Sequence, residues 1–249
     1  MNPATQLAWN AVEQEVSINC GKLTLEGALG LPKSATGIVL FAHGSGSSRH
    51  SPRNRFVARA LQSEGIATLL FDLLTHDEEI EDQRTAQLRF DIQLLAKRLV
   101  GATRWVMQNP RTHGLKVAYF GASTGAGAAL VAAAQLRETV AAVVSRGGRP
   151  DLAGEALGLV RASTLLIVGG NDEHVIQLNQ QALAKLRDAT KKLVIIPGAT
   201  HLFEEPGALE EVARVAGEWL SHYLAPTPEP PVHRETHSLW SHKGGAHGV

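Results

Sequence analysis

The chain has 249 residues, enough for one α/β domain built around a single core. Lys plus Arg and Asp plus Glu both number 24, so the formal net charge is zero. No basic run is interleaved with aromatics, and no nucleic-acid partner is expected. The one cysteine, Cys20, cannot close an internal disulfide, and its setting in a strand pair reads as packing. Met1-Asn2-Pro3-Ala4-Thr5 lacks a basic stretch leading into an apolar one. No signal peptide, membrane span or membrane partner is expected, and the cytoplasm is the expected location.

In chain order, Glu13 to Asn19 and Lys22 to Leu31 alternate as two antiparallel strands around a turn near Gly21. Gly37 to Ala42 reads as a buried strand, Asn54 to Glu64 as a helix closed by Gly65, and Ile66 to Phe71 as the next strand. Asp72 to Asp82 reads as a polar, acidic loop, with Asp77-Glu78-Glu79 a solvated surface. Gln83 to Met107 reads as one long amphipathic helix with Leu88, Ile92, Leu95, Leu99 and Val106 near one stripe. Strands are expected at Lys116 to Phe120, Val140 to Ser145, Thr164 to Val168 and Leu193 to Ile196. Helices are expected at Ala126 to Leu136, Leu152 to Leu159, Gln177 to Arg187 and Gly207 to Tyr223. Strands alternating with helices predict an α/β fold, a mostly parallel central sheet covered by helices on both faces. There is no internal repeat.

Gly121-Ala122-Ser123-Thr124-Gly125 carries the most chemistry. It stands between a strand-like run and an Ala-rich helical one, where a G-x-S-x-G turn lifts a serine hydroxyl to the end of a sheet. A hydroxyl needs a base beside it, and the base needs an orienting acid. For such an elbow the acid and then the histidine follow the serine in the chain. Asp172 falls in the turn Gly169-Gly170-Asn171-Asp172, after an apolar strand. His201 falls in Gly198-Ala199-Thr200-His201-Leu202-Phe203, after the next one. Each has an ordinary alternative: Asp172 as a helix cap or Asx turn, His201 as a loop histidine, with Glu173 and His174 as neighbouring competitors. The three residues together, in that order, favour Ser123, Asp172 and His201 as a catalytic triad. An oxyanion hole needs backbone N–H donors. Thr124, after the nucleophile, is one candidate; Ser45, in the loop His43-Gly44-Ser45-Gly46-Ser47-Ser48, is the other. His43 precedes the serine and reads as a structural loop residue.

The chain resembles an α/β-hydrolase of the dienelactone-hydrolase-related branch. The resemblance rests on Phe41-Ala42-His43-Gly44-Ser45-Gly46, Gly121-Ala122-Ser123-Thr124-Gly125, Gly169-Gly170-Asn171-Asp172 and Pro197-Gly198-Ala199-Thr200-His201-Leu202-Phe203. Dienelactone hydrolases proper use a cysteine where this chain has Ser123, which points to a serine esterase of the same build. The resemblance implies an α/β-hydrolase domain at 13–224, flanked by an N-terminal extension at 1–12. Residues 225–249, rich in Pro, His and Gly, read as a flexible tail.

Fewer than 20 residues separate the strands ending near Ser145 and starting near Thr164. No lid domain fits there, which favours small soluble esters or lactones as substrates. Arg146 follows a strand on the active-site side and could fork onto a substrate carboxylate, or instead pair with Asp151 or Glu155. Arg49, Arg53 and Arg55 raise the same question. The expected activity is that of a carboxylesterase-like serine hydrolase, working through an acyl-enzyme with water as co-substrate. No metal and no cofactor are expected, and a homo-oligomer is possible. A perhydrolase or haloperoxidase, or a thioesterase or acyltransferase, could use the same triad. A non-catalytic small-ligand module is the alternative from another class.

Overall fold

The structure, a computed structural model, describes residues 13–226. The extension at 1–12 and all but the first two residues of the tail lie outside that range. Eight strands form one sheet in the order β1-β2-β4-β3-β5-β6-β7-β8. They are β1 (Glu13–Cys20), β2 (Leu23–Gly30), β3 (Gly37–Ala42), β4 (Ala67–Phe71), β5 (Lys116–Ala122), β6 (Val140–Arg146), β7 (Ser163–Gly169) and β8 (Lys191–Ile196). β1 pairs antiparallel with β2, and β2 with β4; every later pairing is parallel. Among the described residues six α-helices cover the sheet: α1 (Pro52–Ser63), α2 (His76–Thr85), α3 (Ile92–Gln108), α4 (Thr124–Gln135), α5 (Glu173–Lys185) and α6 (Ala208–Leu224).

The central strands are buried throughout, as continuous apolar runs must be when helices cover both faces. One face packs Val39, Phe41, Phe120 and Ile167 against Val57 and Leu61 of α1 and Val212 and Leu220 of α6. The other packs Leu40, Tyr119 and Val143 against Leu95 and Leu99 of α3 and Leu130 of α4. The chain goes from β3 to β4 on one side and to β5 on the other, so a crevice opens at the carboxyl ends of β3 and β5, where such sheets bind ligands. The two outer strands are β1, with exposed Glu13, Gln14 and Glu15, and β8, with exposed Lys191 and Lys192. Glu13 pairs with Arg55 at 2.9 Å and Glu15 with Arg49 at 3.7 Å.

The predicted strands stand within about one residue at most ends and two at the end of β5 and the start of β8; helices deviate more. The segment read as an acidic loop is instead α2. Its start is built by a capping box: the Thr75 hydroxyl accepts from the Glu78 N–H, and the Glu78 carboxylate accepts from the Thr75 N–H. Glu78 also pairs with Arg98, so only part of Asp77-Glu78-Glu79 is a solvated surface. The long helix expected from Gln83 breaks in two. Ala86 ends α2 in the left-handed region (φ 53°), a 3₁₀ turn spans Leu88–Phe90, and Asp91 caps α3 through the Leu94 N–H at 2.9 Å. The short helix expected at 152–159 is a 3₁₀ segment, Pro150–Leu159, interrupted at Gly154. This segment is all that lies between β6 and β7. α5 begins at Glu173, four residues before its expected start.

Candidate active site

β5 runs straight into α4 through Ser123, whose φ of +50° and ψ of −122° form a sharp turn. For a non-glycine residue this backbone costs about 1–3 kcal/mol, and it persists only where the surroundings enforce it. They do so by close approach. A Cβ on Gly125 would collide with the Ala42 and His43 carbonyls, and one on Gly121 with the Ala126 backbone. The Ser123 N–H donates to the Arg146 carbonyl at 3.3 Å, and the Ser123 carbonyl accepts from the Arg149 N–H at 3.0 Å. The backbone is thus held on both sides, while the side chain makes no hydrogen bond among the described residues and the residue is half-buried.

Asp172 and His201 meet. His201 Nδ1 and Asp172 Oδ2 are 2.6 Å apart, with the carboxylate side chain 16% exposed and the imidazole 39%. Asp172 occupies the N-cap position of α5, yet its side chain makes no capping bond. The capping alternative therefore fails: the carboxylate is committed to the histidine. His174 is exposed and makes no side-chain hydrogen bond among the described residues. His201 faces the elbow side, since a Cβ on Gly147, the residue directly after the Arg146 that bonds to Ser123, would lie 3.6 Å from its Cε1. The loop closes on Phe203, which is buried and held at φ +57°.

The loop after β3 is fixed from below by His43. Its Nδ1 lies 3.0 Å from the Gly44 carbonyl, and its Nε2 accepts from the Leu73 N–H at 3.1 Å. The ring is buried, and burial pushes its pKa below the usual histidine range, so it serves as a neutral strut. Arg49 ties the loop's far end to Asp72, donating its backbone N–H at 2.7 Å and its guanidinium to that carboxylate. The Ser45 N–H donates to the Thr124 hydroxyl at 2.9 Å, which joins the loop to the elbow. Thr124 is buried at the first position of α4, where backbone N–H groups have no intrahelical partner. A cleft of about 670 Å³ lies on the other side of this loop, among Glu26, His43, Arg49, Asp72 and Thr75; neither Ser123 nor His201 lines it.

Arg146 is not the surface arginine paired with Asp151 or Glu155 that one of the two sequence readings made it. It is 7% exposed, and it is Arg149 that pairs with Asp151, through two bonds of 2.8 Å. Arg53 pairs with Glu204 at 2.9 Å and Arg55 with Glu13, so none of the three earlier arginines is a free surface charge. Sequence reasoning missed Asn54, buried at the start of α1 beside Arg146, and Asn179, which donates to the Gly148 carbonyl at 3.0 Å and braces the turn after β6. Neither position carries a motif; only the tertiary packing selects it. Among the described residues no group of His, Cys, Asp and Glu is arranged to hold a metal ion, and no helix is long and apolar enough to cross a membrane.

Comparison with known proteins agrees with this architecture. The model of the Dienelactone hydrolase family matches residues 25–223. A dienelactone hydrolase from Anabaena variabilis, solved as a crystal structure, is 65% identical, with a TM-score of 0.85, over 86% of this chain and 99% of that one. Est1E from Butyrivibrio proteoclasticus shares the fold at 17% identity, with a TM-score of 0.71, over 85% of this chain and 99% of its own. Proteins from two Mycobacterium tuberculosis strains, provisionally named phosphoribosyl transferases, are 57% identical over 217 residues. That match covers 87% of this chain and 48% of theirs, so the chain spans about half the length of the curated relatives it matches. The eight-stranded sheet and the matched span together show that the chain belongs to the dienelactone hydrolase family of α/β-hydrolases.

Proposed function

We propose that the protein is a serine hydrolase of small soluble carboxylic esters or lactones, with Ser123, His201 and Asp172 as its triad. The observation that carries this reading is the strained Ser123 elbow at the same sheet end as the 2.6 Å His201–Asp172 pair. In this mechanism His201 Nε2 takes the Ser123 proton as Oγ attacks the ester carbonyl. Asp172 fixes the proton on Nδ1 and stabilises the imidazolium. The Thr124 N–H, at the positive end of α4, and the Ser45 N–H receive the oxyanion. The Ser45 donor is then shared between Thr124 Oγ1 and substrate. His201 next protonates the leaving alkoxide and activates water to release the acid. The short β6–β7 connection, with no room for a lid, supports small soluble substrates over lipid aggregates.

The test is labelling by a fluorophosphonate probe beside turnover of a short-chain p-nitrophenyl ester, in wild type and Ser123→Ala. Labelling and turnover in the wild type are expected to disappear together in the variant, with turnover down by a factor of roughly 10⁴ or more. A folded wild type that takes no label, or a variant with near-wild-type kcat, overturns the mechanism.

A further inference from the structure

Among the described residues, Arg146 is a buried cation without a counter-ion. Its Nε and Nη1 are buried with no hydrogen-bond partner, and its Nη2 reaches only Asn54 Oδ1, at 3.4 Å. The charged group that acts on it is another cation, Arg53, which pairs through Nη1 with Glu204 and whose Nε is buried and unpartnered. Burial, with Arg53 beside it, pulls the Arg146 guanidinium down to about 10. Besides that long bond, the compensation among the described residues is the Phe203 ring, whose centroid lies 5.9 Å from the guanidinium carbon. Other buried arginine contacts in this protein are made with carboxylates: Arg98 with Glu78, and Arg89 with the buried Asp82.

An unpaired buried charge is among the more costly arrangements a fold can hold. Here Arg146 of β6 keeps two buried N–H groups without a partner, and Arg53 of α1, which gives its Nη1 to Glu204, lies close enough to act on it electrostatically. The donor set, a planar fork plus a second guanidinium and an amide side chain, matches an oxyanion with two or three oxygens. We propose that Arg146, with Arg53 and Asn54, forms a binding site for a small oxyanion, a carboxylate or phosphate group, beside the Ser123 elbow. The Ser123 N–H is bonded to the Arg146 carbonyl, and Phe203 under the guanidinium is two residues from His201. An anion held here therefore touches the supports of both the nucleophile and the base. The proposal does not depend on Ser123 turning a substrate over.

The experiment is calorimetric titration of inorganic phosphate at constant ionic strength into wild type and Ser123→Ala, which keeps binding separate from catalysis. Binding with a Kd of about 1 mM or tighter is expected in both. Arg146→Gln should weaken it at least tenfold. Arg53→Ala, at a partly exposed position that does not threaten the fold, should weaken it severalfold. Arg146→Met should have a Tm in chloride buffer at or above that of the wild type, since it removes an uncompensated charge. Two sources of the anion are separated in Ser123→Ala by an ester bearing a terminal carboxylate and its neutral analogue. Competition with phosphate by the acid-bearing ester alone assigns the site to the substrate's own acid group. Phosphate binding undisturbed by either ester assigns it to a free anion. No phosphate binding in the folded wild type, or binding unchanged in both arginine variants, overturns the proposal.

Discussion

At the scale of single residues, the Asp172 carboxylate decides between two roles. It stands at the start of α5 but bonds to His201, not to the helix backbone. Asp172→Asn should therefore behave as a loss of orientation, not of a cap. We expect kcat toward a short-chain ester to fall by about 10³–10⁴, because the amide favours the wrong imidazole tautomer. Thermal stability should stay close to that of the wild type, well short of the loss of about 1 kcal/mol typical of a removed cap. A large fall in Tm with modest loss of kcat would return Asp172 to the capping role. The contact between Asp172 and His201 was legible in the sequence, because both follow strands in the order that a G-x-S-x-G turn calls for. Arg146 was not. Its strand position was readable, but whether its side chain faced solvent or Phe203 depended on how α1 and the His201 loop close over it.

At the scale of elements, the loop after β3 and the N-terminus of α4 act as one unit because the Ser45 N–H is bonded to the Thr124 hydroxyl. Thr124→Val keeps the shape of the side chain and removes that acceptor. A neutral hydrogen bond is worth about 1 kcal/mol, so a loosened Ser45 should lower kcat roughly fivefold to tenfold with little change in KM, and Thr124→Ser should restore it. Equal kinetics for the valine and serine variants would remove Thr124 Oγ1 from any positioning role. The strands were readable from sequence as apolar runs, since burial on both faces leaves little choice of residue. The stretch from Asp72 to Asp91 was misread for two physical reasons. α2 is polar almost all round, so it lacks an apolar stripe, although Thr75 and Glu78 did carry the capping-box spacing. The break before α3 falls at Ala86, a residue that gives no warning of a left-handed backbone.

At the scale of the whole molecule, acid stability should be set partly by His43. Its ring is held neutral by burial, so its folded pKa lies below the unfolded value of about 6.5. Between those two values the unfolded chain binds the extra proton. The contribution is fully present above about pH 6.5 and is lost as the pH falls toward the folded pKa. We expect Tm to decline from pH 7.5 to 5.0, and the His43 ring signals in an NMR titration of the native protein to stay in the neutral form below pH 6.5. A His43 ring that titrates at or above 6.5 would contradict the buried strut.

The two ends of the sheet carry opposite chemistry, glutamates on β1 and lysines on β8, in a chain with no net charge to keep copies apart. An open strand edge is a template for a further strand, and an acidic edge would attract a basic one on the next molecule. Such a contact joins unlike surfaces, so it does not close on itself and can repeat without limit. By occupying Glu13 and Glu15 within the same chain, Arg55 and Arg49 blunt the acidic end. The two ion pairs thus add little to the fold's stability and instead oppose end-to-end growth of one molecule's sheet into the next.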